Sequence, residues 1–282
     1  PNTSSAASDV YKRQVLWLIG CRRCTKIWLS ARVRCRRTVV ADMTVRIAGW
    51  SGPRNISTAM MRSWDSRPDC VVVDEPFYAC YLLESGADHP MRDDIIASQP
   101  GTRAAVVDAL SARSSAALQY EKHMTHHMPR GVDLSWTRSL KHVFLIRSPE
   151  RVIASYRQKM PSVSAEDIGI IRQRELFDEI TAITGKRPPV VDSLDILNDP
   201  AHMLRQLCVA LDVPWCEGAM THWKVGSRST DGVWASHWYG AVESSTQFSS
   251  PPSSASQLDE KDHALAADMM VHYEAMAAFK LS

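Results

Sequence analysis

Residues Val45–Trp64, VRIAGWSGPRNISTAMMRSW, set the strongest limit on what this chain can fold into. An apolar, strand-like run, Val45–Trp50, breaks at Ser51-Gly52-Pro53, and a helical pattern carrying Ser57, Thr58 and Arg62 starts at once. A strand that turns straight into a helix N-terminus gathers free backbone N–H groups and the positive end of the helix dipole at one spot, where an anion is favoured. Arg54, inside the turn, adds a planar guanidinium that stays charged at any ordinary pH. The segment reads as a phosphate cradle.

The rest of the chain alternates short apolar runs with longer amphipathic segments. Strands are expected at Val45–Trp50, Cys70–Val73, Ala116–Tyr120, His142–Ile146 and Pro189–Asp192. Helices are expected at Ser57–Trp64, Gly101–Ala112, Arg151–Lys159, Ala165–Thr184, Ala201–Leu211 and Asp259–Phe279. Apolar runs separated by helices predict a mostly parallel central sheet covered on both faces, an α/β three-layer sandwich. Such sheets bind ligands beyond the strand C-termini. The polar clusters Ser51–Thr58, Asp74-Glu75-Pro76, Lys122–His127 and Arg147-Ser148 all fall there. In the last helix, Leu265, Met269, Met270, Tyr273 and Phe279 form a stripe best explained as core.

Residues 1–42 lack this patterning. Their opening, PNTSSAASDVYKRQ, resembles translated adapter sequence, and the Arg-rich, acid-poor remainder allows a transit peptide as the alternative. The segment is expected to be a non-native or disordered leader, with one domain over 43–282 starting at Met43. It holds nine Lys/Arg and two acids; taking these from 33 and 31 leaves 24 basic and 29 acidic residues, about −5. The basic excess that a nucleic-acid partner would require disappears with it. Its longest apolar run, Val15–Gly20, is six residues, far below the roughly 20 of a membrane span. Cys21 and Cys24 have half of a zinc spacing without a partner His. The remaining cysteines read as buried thiols of a cytosolic protein. Neither a metal site nor a nucleic-acid or membrane partner is expected.

A Walker-type loop needs Gly-Lys-Ser/Thr at the start of the helix, so that Lys reaches the terminal phosphates and the hydroxyl binds magnesium. Ile56-Ser57-Thr58 stands there instead, which disfavours a P-loop kinase. The form Pro-(Lys/Arg)-x-x-(Ser/Thr)-Thr resembles the 5′-phosphosulfate loop of sulfotransferases, which use 3′-phosphoadenosine 5′-phosphosulfate as sulfuryl donor. A second segment, HVFLIRSPERVIASY over 142–156, resembles that family's 3′-phosphate site, with Arg147 at a strand end and Ser155 two turns into the following helix. Forked guanidinium donors and a helix-borne hydroxyl suit a phosphate whatever the family. A salt bridge is the alternative use of Arg147, and a bond to its own helix backbone that of Ser155. A third segment, WKVGSRSTDGVWASHWYGAVESSTQF over 223–248, resembles the C-terminal loop of a bacterial and plant branch of the family.

The resemblance implies a P-loop NTPase-like sulfotransferase fold over nearly all of 44–248. It implies donor binding by Arg54, Asn55, Ile56, Ser57, Thr58, Arg147 and Ser155, with Lys224, Gly226 and Arg228 closing over the 3′-phosphate. Trp234, His237, Trp238 and Tyr239 become a lid or acceptor wall. The chain departs from the family pattern at Arg54 (usually Lys), Ile56 (usually Gly) and Ala59 (often Trp). Transfer to a small-molecule hydroxyl or amine would use Arg54 to stabilise the leaving phosphate, Lys122 on the bridging oxygen, and a histidine base. His126 is the first choice, His127 the second and His123 the third, since histidine titrates near neutrality; three solvated histidines in a polar turn are the alternative. Asp74 and Glu75 end the second strand, where Glu75 orients Arg54 or the acceptor, or pairs with a basic neighbour. The expected protein is a cytoplasmic enzyme that needs no metal. A non-catalytic nucleotide-binding module on the same scaffold is the other reading.

Overall fold

The computed structural model describes residues 44–158, 160–250 and 258–282. The expected leader, the start at Met43 and most of the Ser249–Ser256 linker lie outside the described residues. Among those residues, strands β1 (Val45–Ser51), β2 (Cys70–Asp74), β3 (Leu118–Met124), β4 (Lys141–Ile146) and β5 (Val190–Asp192) form one sheet. Their order is β2-β3-β1-β4-β5, and every pairing is parallel.

Alternate residues of each strand supply the two buried faces. Ile47, Val72, Tyr120, Val143 and Leu145 pack with Met60, Met61 and Trp64 of α1 (Ser57–Asp65). On the other face Ala48, Trp50, Phe144 and Ile146 meet three helices: α5 (Pro149–Arg157), α7 (Ile170–Thr184) and α12 (Glu260–Ala277). The result is the three-layer α/β sandwich expected from the alternation. Gly49 in the central strand allows close packing: a Cβ there would lie 2.2 Å from the Tyr120 hydroxyl. The Tyr120 ring stacks in turn on Trp64, with centroids 5.3 Å apart.

The topology locates the ligand crevice. From β1 the chain steps past β3 to β2, whereas from β4 it moves outward to β5. The loops leaving these two adjacent strands therefore run in opposite directions, and the gap between them lies beyond the strand C-termini.

The differences from the sequence expectations have local causes. Strand β3 extends to Met124 rather than ending at Tyr120, because Glu121, Lys122 and His123 all find buried polar partners. The expected helix over 165–184 is divided at Gly169, where φ is 71°, into α6 (Ala165–Ile168) and α7. Helices α2 (Tyr78–Ser85) and α3 (Arg92–Ser98) were not anticipated. The aromatic start of α2 follows directly on the apolar β2 run, so no periodicity separates the two. Helix α4 (Arg103–Ser111) starts at a Thr102 cap, and α5 begins at Pro149, whose fixed φ suits a first helical position. The C-terminal helices α8 (Ser193–Asn198) and α9 (Pro200–Ala210) follow β5. Two short helices, α10 (Ala235–Trp238) and α11 (Gly240–Glu243), lie in the loop over 223–248.

His142 on β4 ties the core to pH. Trp50 Nε1 donates to its Nδ1 at 3.1 Å, and its Nε2 lies 3.0 Å from the Thr137 carbonyl, which fixes the neutral ring. Burial pushes its pKa from 6.5 down to about 4. Between those values the unfolded chain binds a proton that the folded chain refuses, so stability is lost as pH falls from 6.5 towards 4. The slope is about 1.4 kcal/mol per pH unit, or about 3 kcal/mol across the window. Denaturant unfolding of the wild type and His142→Gln should show a shallower fall over this window in the variant. Parallel curves would exclude His142 as the source.

Candidate functional site

The loop between β1 and α1 is held in an unusual backbone conformation. Arg54 (φ 58°) and Ile56 (φ 45°) are both left-handed, and no side chain caps α1. A β-branched residue in that region costs on the order of 1–3 kcal/mol and persists only where its surroundings enforce it. Here the buried Asn55, between Arg54 and Ile56, ties the loop to β4: its Nδ2 donates to the Leu145 carbonyl at 2.5 Å, an oxygen that Gln173 Nε2 also meets at 2.7 Å. Asn55 thus faces the loop's interior with its side chain, leaving only its backbone for a ligand. Ile56 takes a conformation that glycine adopts without strain. Ser57 and Thr58 are half-buried in the first turn of α1, where helical N–H groups lack intrahelical acceptors.

Arg54 and Arg147 come together across the crevice. Arg147 Nη1 donates to the Arg54 carbonyl at 2.6 Å, and Arg54 Nε donates to Ser155 Oγ at 3.0 Å. Burial, then the charges of Arg151 and Arg54, lower the Arg147 pKa below the usual guanidinium value. Among the described residues none of Arg54, Arg147 and Arg151 forms an ion pair with a carboxylate. The salt bridge open as an alternative for Arg147 is therefore not the arrangement found, nor does Ser155 turn back on its own helix. Arg151 was missed by sequence reasoning, although its place one turn after Arg147 and one before Ser155 was there to be read.

A second cluster lies at the C-terminal ends of β2 and β3. Lys122 Nζ is fully buried and donates to Asp74 Oδ1 (3.0 Å), Glu75 Oε1 (2.6 Å) and the Tyr239 hydroxyl (2.5 Å). Burial opposes its charge, but Asp74 and Glu75 outweigh that and raise its pKa. Burial and the neighbouring Asp74 raise that of Glu75, against the pull of Lys122. Glu75 is itself left-handed, at φ 40°. Tyr239 also donates to Asp74, and Gly232 N–H meets Asp74 Oδ2 at 3.2 Å.

The three histidines separate. His123 alternates away from Lys122 to reach Glu121 at 3.1 Å and stack on Trp50. His126 and His127 sit on a short 3-10 helix, Thr125–His127. His126 is half-buried and packs edge-on against Tyr81; burial, reinforced by His89, pushes its pKa down to about 4. His127 is buried, stacked on Tyr78 and Tyr81, with Nε2 3.9 Å from Glu75 Oε2 and neither ring nitrogen hydrogen-bonded. Burial, then the positive fields of His126 and Lys122, keep it neutral. The geometry thus groups Lys122 with His127, the second choice, and leaves His126 nearer the surface.

The C-terminal loop goes elsewhere than expected. Arg228 donates to Asp65 at 3.2 Å, to the Gly226 carbonyl at 2.7 Å and to the Lys224 carbonyl. Gly226 N–H is bonded to the Glu243 carbonyl, and Lys224 is exposed. Asp65 ends α1, about 12 Å along the axis from Ser57 at 1.5 Å per residue. Lys224, Gly226 and Arg228 are therefore not brought to Arg54 and Arg147; their hydrogen bonds hold their own loop in shape. That loop is fastened by a buried bidentate pair, Arg62 with Asp231, at 2.5 and 2.7 Å. Its aromatic residues divide: Trp234 and Tyr239 are buried beside Lys122, Trp238 is half-buried and His237 is exposed. Among the described residues no group of three His, Cys, Asp or Glu could hold a metal, and no helix is long and apolar enough to cross a membrane.

The crevice, the uncapped helix and the strand order define an α/β protein with a cluster of arginines at its topological switch point. The chain belongs to the sulfotransferase domain family, whose profile matches residues 45–280. Two Arabidopsis thaliana proteins are similar over 206 residues, 73% of this chain: branched-chain-amino-acid aminotransferase-like proteins 1 and 2, at 35% and 32% identity. The chain spans only 37% and 36% of their lengths. A sulfotransferase from Alicyclobacillus acidocaldarius is 13% identical, with a TM-score of 0.48 over 86% of this chain and 98% of that one. The sulfotransferase domain from the curacin biosynthetic pathway is 15% identical, with a TM-score of 0.44 over 82% and 99%.

Proposed function

We propose that this chain transfers a sulfuryl group from 3′-phosphoadenosine 5′-phosphosulfate to a hydroxyl or amine of a small acceptor. The observation that carries this reading is the meeting of Arg54, Arg147 and Ser155 in one crevice, where among the described residues no carboxylate forms an ion pair with either guanidinium. An unbalanced cationic pocket beside an uncapped helix suits a ligand phosphorylated at both ends. In this reading Arg54, the N–H groups of Asn55–Thr58 and the hydroxyls of Ser57 and Thr58 hold the 5′-phosphosulfate. Arg147 and Ser155 hold the 3′-phosphate.

The acceptor oxygen or nitrogen attacks sulfur in line, and the bond from sulfur to the 5′-phosphate oxygen breaks. Adenosine 3′,5′-bisphosphate leaves, and the acceptor's proton passes to His127. As in phosphoryl transfer, the loose transition state leaves the protein mainly positioning and charge stabilisation to perform. Arg54 and the cradle meet the charge that grows on the leaving phosphate; Lys122, expected from the sequence on the bridging oxygen, has its three N–H donors taken by Asp74, Glu75 and Tyr239 and contributes only its positive field.

Titration calorimetry tests the donor assignment. Adenosine 3′,5′-bisphosphate should bind without magnesium, and Arg147→Ala should weaken it by about 1.5–3 kcal/mol, the range for hydrogen bonds to charged groups. A preference for magnesium–ATP would overturn the reading. Donor binding without transfer to any acceptor would leave a nucleotide-binding module on the same scaffold.

A further inference from the structure

The two halves of the site have opposite electrostatic character. The donor half carries Arg54, Arg147 and Arg151 with no carboxylate paired to them. The acceptor half, taken from the proposed function as the region around Lys122 and His127, has one ammonium for two carboxylates. Asp74 is saturated by Lys122, Tyr239 and Gly232. Glu75 gives only Oε1 to Lys122, and its Oε2 faces the unpartnered Nε2 of His127. His127 is 1% exposed with both ring nitrogens unbonded. A buried imidazole in that state marks a place where a ligand's polar group completes the hydrogen bonding.

The walls of this half are aromatic. A continuous series of ring contacts runs Trp238–His89–Tyr78–His127–Tyr81–His126, with centroids 4.5 to 6.0 Å apart along it. The rim beside His89 carries the exposed acids Glu84, Asp88, Asp93 and Asp94 against Arg92. Of these Glu84 is paired with Arg103, Asp93 meets Arg92 at 3.5 Å, and Asp88 and Asp94 form no ion pair among the described residues. Aromatic faces and uncompensated carboxylates both favour a cation. The anionic donor would add to that preference when bound.

We propose that the acceptor half selects a hydroxyl compound bearing an ammonium group, an amino alcohol or a hydroxyaryl amine, over neutral or anionic compounds of the same shape. The proposal rests on the functional reading only for the place where the acceptor sits, and binding tests it without turnover. Tyramine, para-propylphenol and para-hydroxyphenylpropanoate share a phenol and differ in charge. Each is titrated calorimetrically into the full chain, alone and with adenosine 3′,5′-bisphosphate. Tyramine should bind at least about tenfold tighter than para-propylphenol, with the margin shrinking as salt rises, because exposed charges are screened. The propanoate should bind weakest. Paired Asp88→Asn and Asp94→Asn substitutions should narrow the tyramine margin about threefold at low salt, as expected for loss of a steering rim field. Tyramine binding no tighter than para-propylphenol, or tightest binding of the propanoate, overturns the proposal. Failure of adenosine 3′,5′-bisphosphate to bind would instead count against the donor assignment, while the phenol series on the free chain still decides the charge preference.

Discussion

Replacing His127 by Ala should lower sulfuryl-transfer turnover by about 10²–10⁴-fold, the usual contribution of a positioned general base. Donor affinity should stay within about twofold, because His127 touches none of the groups that surround Arg54 and Arg147. The physical basis is the imidazole's placement: both ring nitrogens are unbonded, and burial, which lowers its pKa, leaves the resting ring neutral with a free lone pair for the acceptor's proton. His126→Ala should have a much smaller effect, since that ring packs on Tyr81 nearer the surface. Single-turnover measurements with both variants decide the assignment. A larger loss in His126→Ala would return the role to the first histidine of the pair.

Lys122→Met should destabilise the folded chain by about 3–5 kcal/mol, the range for breaking a buried ion pair by removing one partner. Without the ammonium, Asp74 and Glu75 remain buried side by side with no opposing charge. Adding Asp74→Asn to Lys122→Met should recover part of the loss by removing one of the stranded charges. Equilibrium denaturation of the single and double variants gives the coupling directly. A Lys122→Met chain as stable as the wild type would mean that water reaches this cluster freely.

The strand–turn–helix and strand–Arg–helix segments were legible because each is local. Each lies within about twenty residues, and apolar patterning places Arg54 in the turn after β1, Arg147 at the end of β4 and Ser155 on the following helix. The parallel sheet follows from the alternation of strand and helix, whereas the strand order that makes the two loops neighbours is seen only in the fold. The partners of Lys122 were not legible. Asp74, Glu75 and Tyr239 reach it from two other segments, and a lysine inside EKHM reads as the end of a strand unless its compensating carboxylates are known to be near. For the same reason β3 was drawn short. The C-terminal loop misled through its composition: Lys224 and Arg228 suggest a phosphate, yet Arg62 and Asp65 of α1, more than 150 residues earlier in the chain, are what the loop meets. Helix α2 was hidden by its aromatic content, and those same rings, Tyr78 and Tyr81, prove to be the wall beside His127.

Helix α1 makes the molecule indivisible in practice. Its first turn presents the cradle, its middle carries Arg62, and its last residue takes Arg228, so the chain's final quarter grips the same rod whose tip faces the nucleotide. Cutting the polypeptide ahead of Lys224 would strand Arg62 inside the protein and strip Asp74 of Tyr239 and Gly232. A shortened fragment kept only for its nucleotide pocket would lose the scaffolding that aims the pocket, and engineering of acceptor preference through this loop will be felt at the far tip.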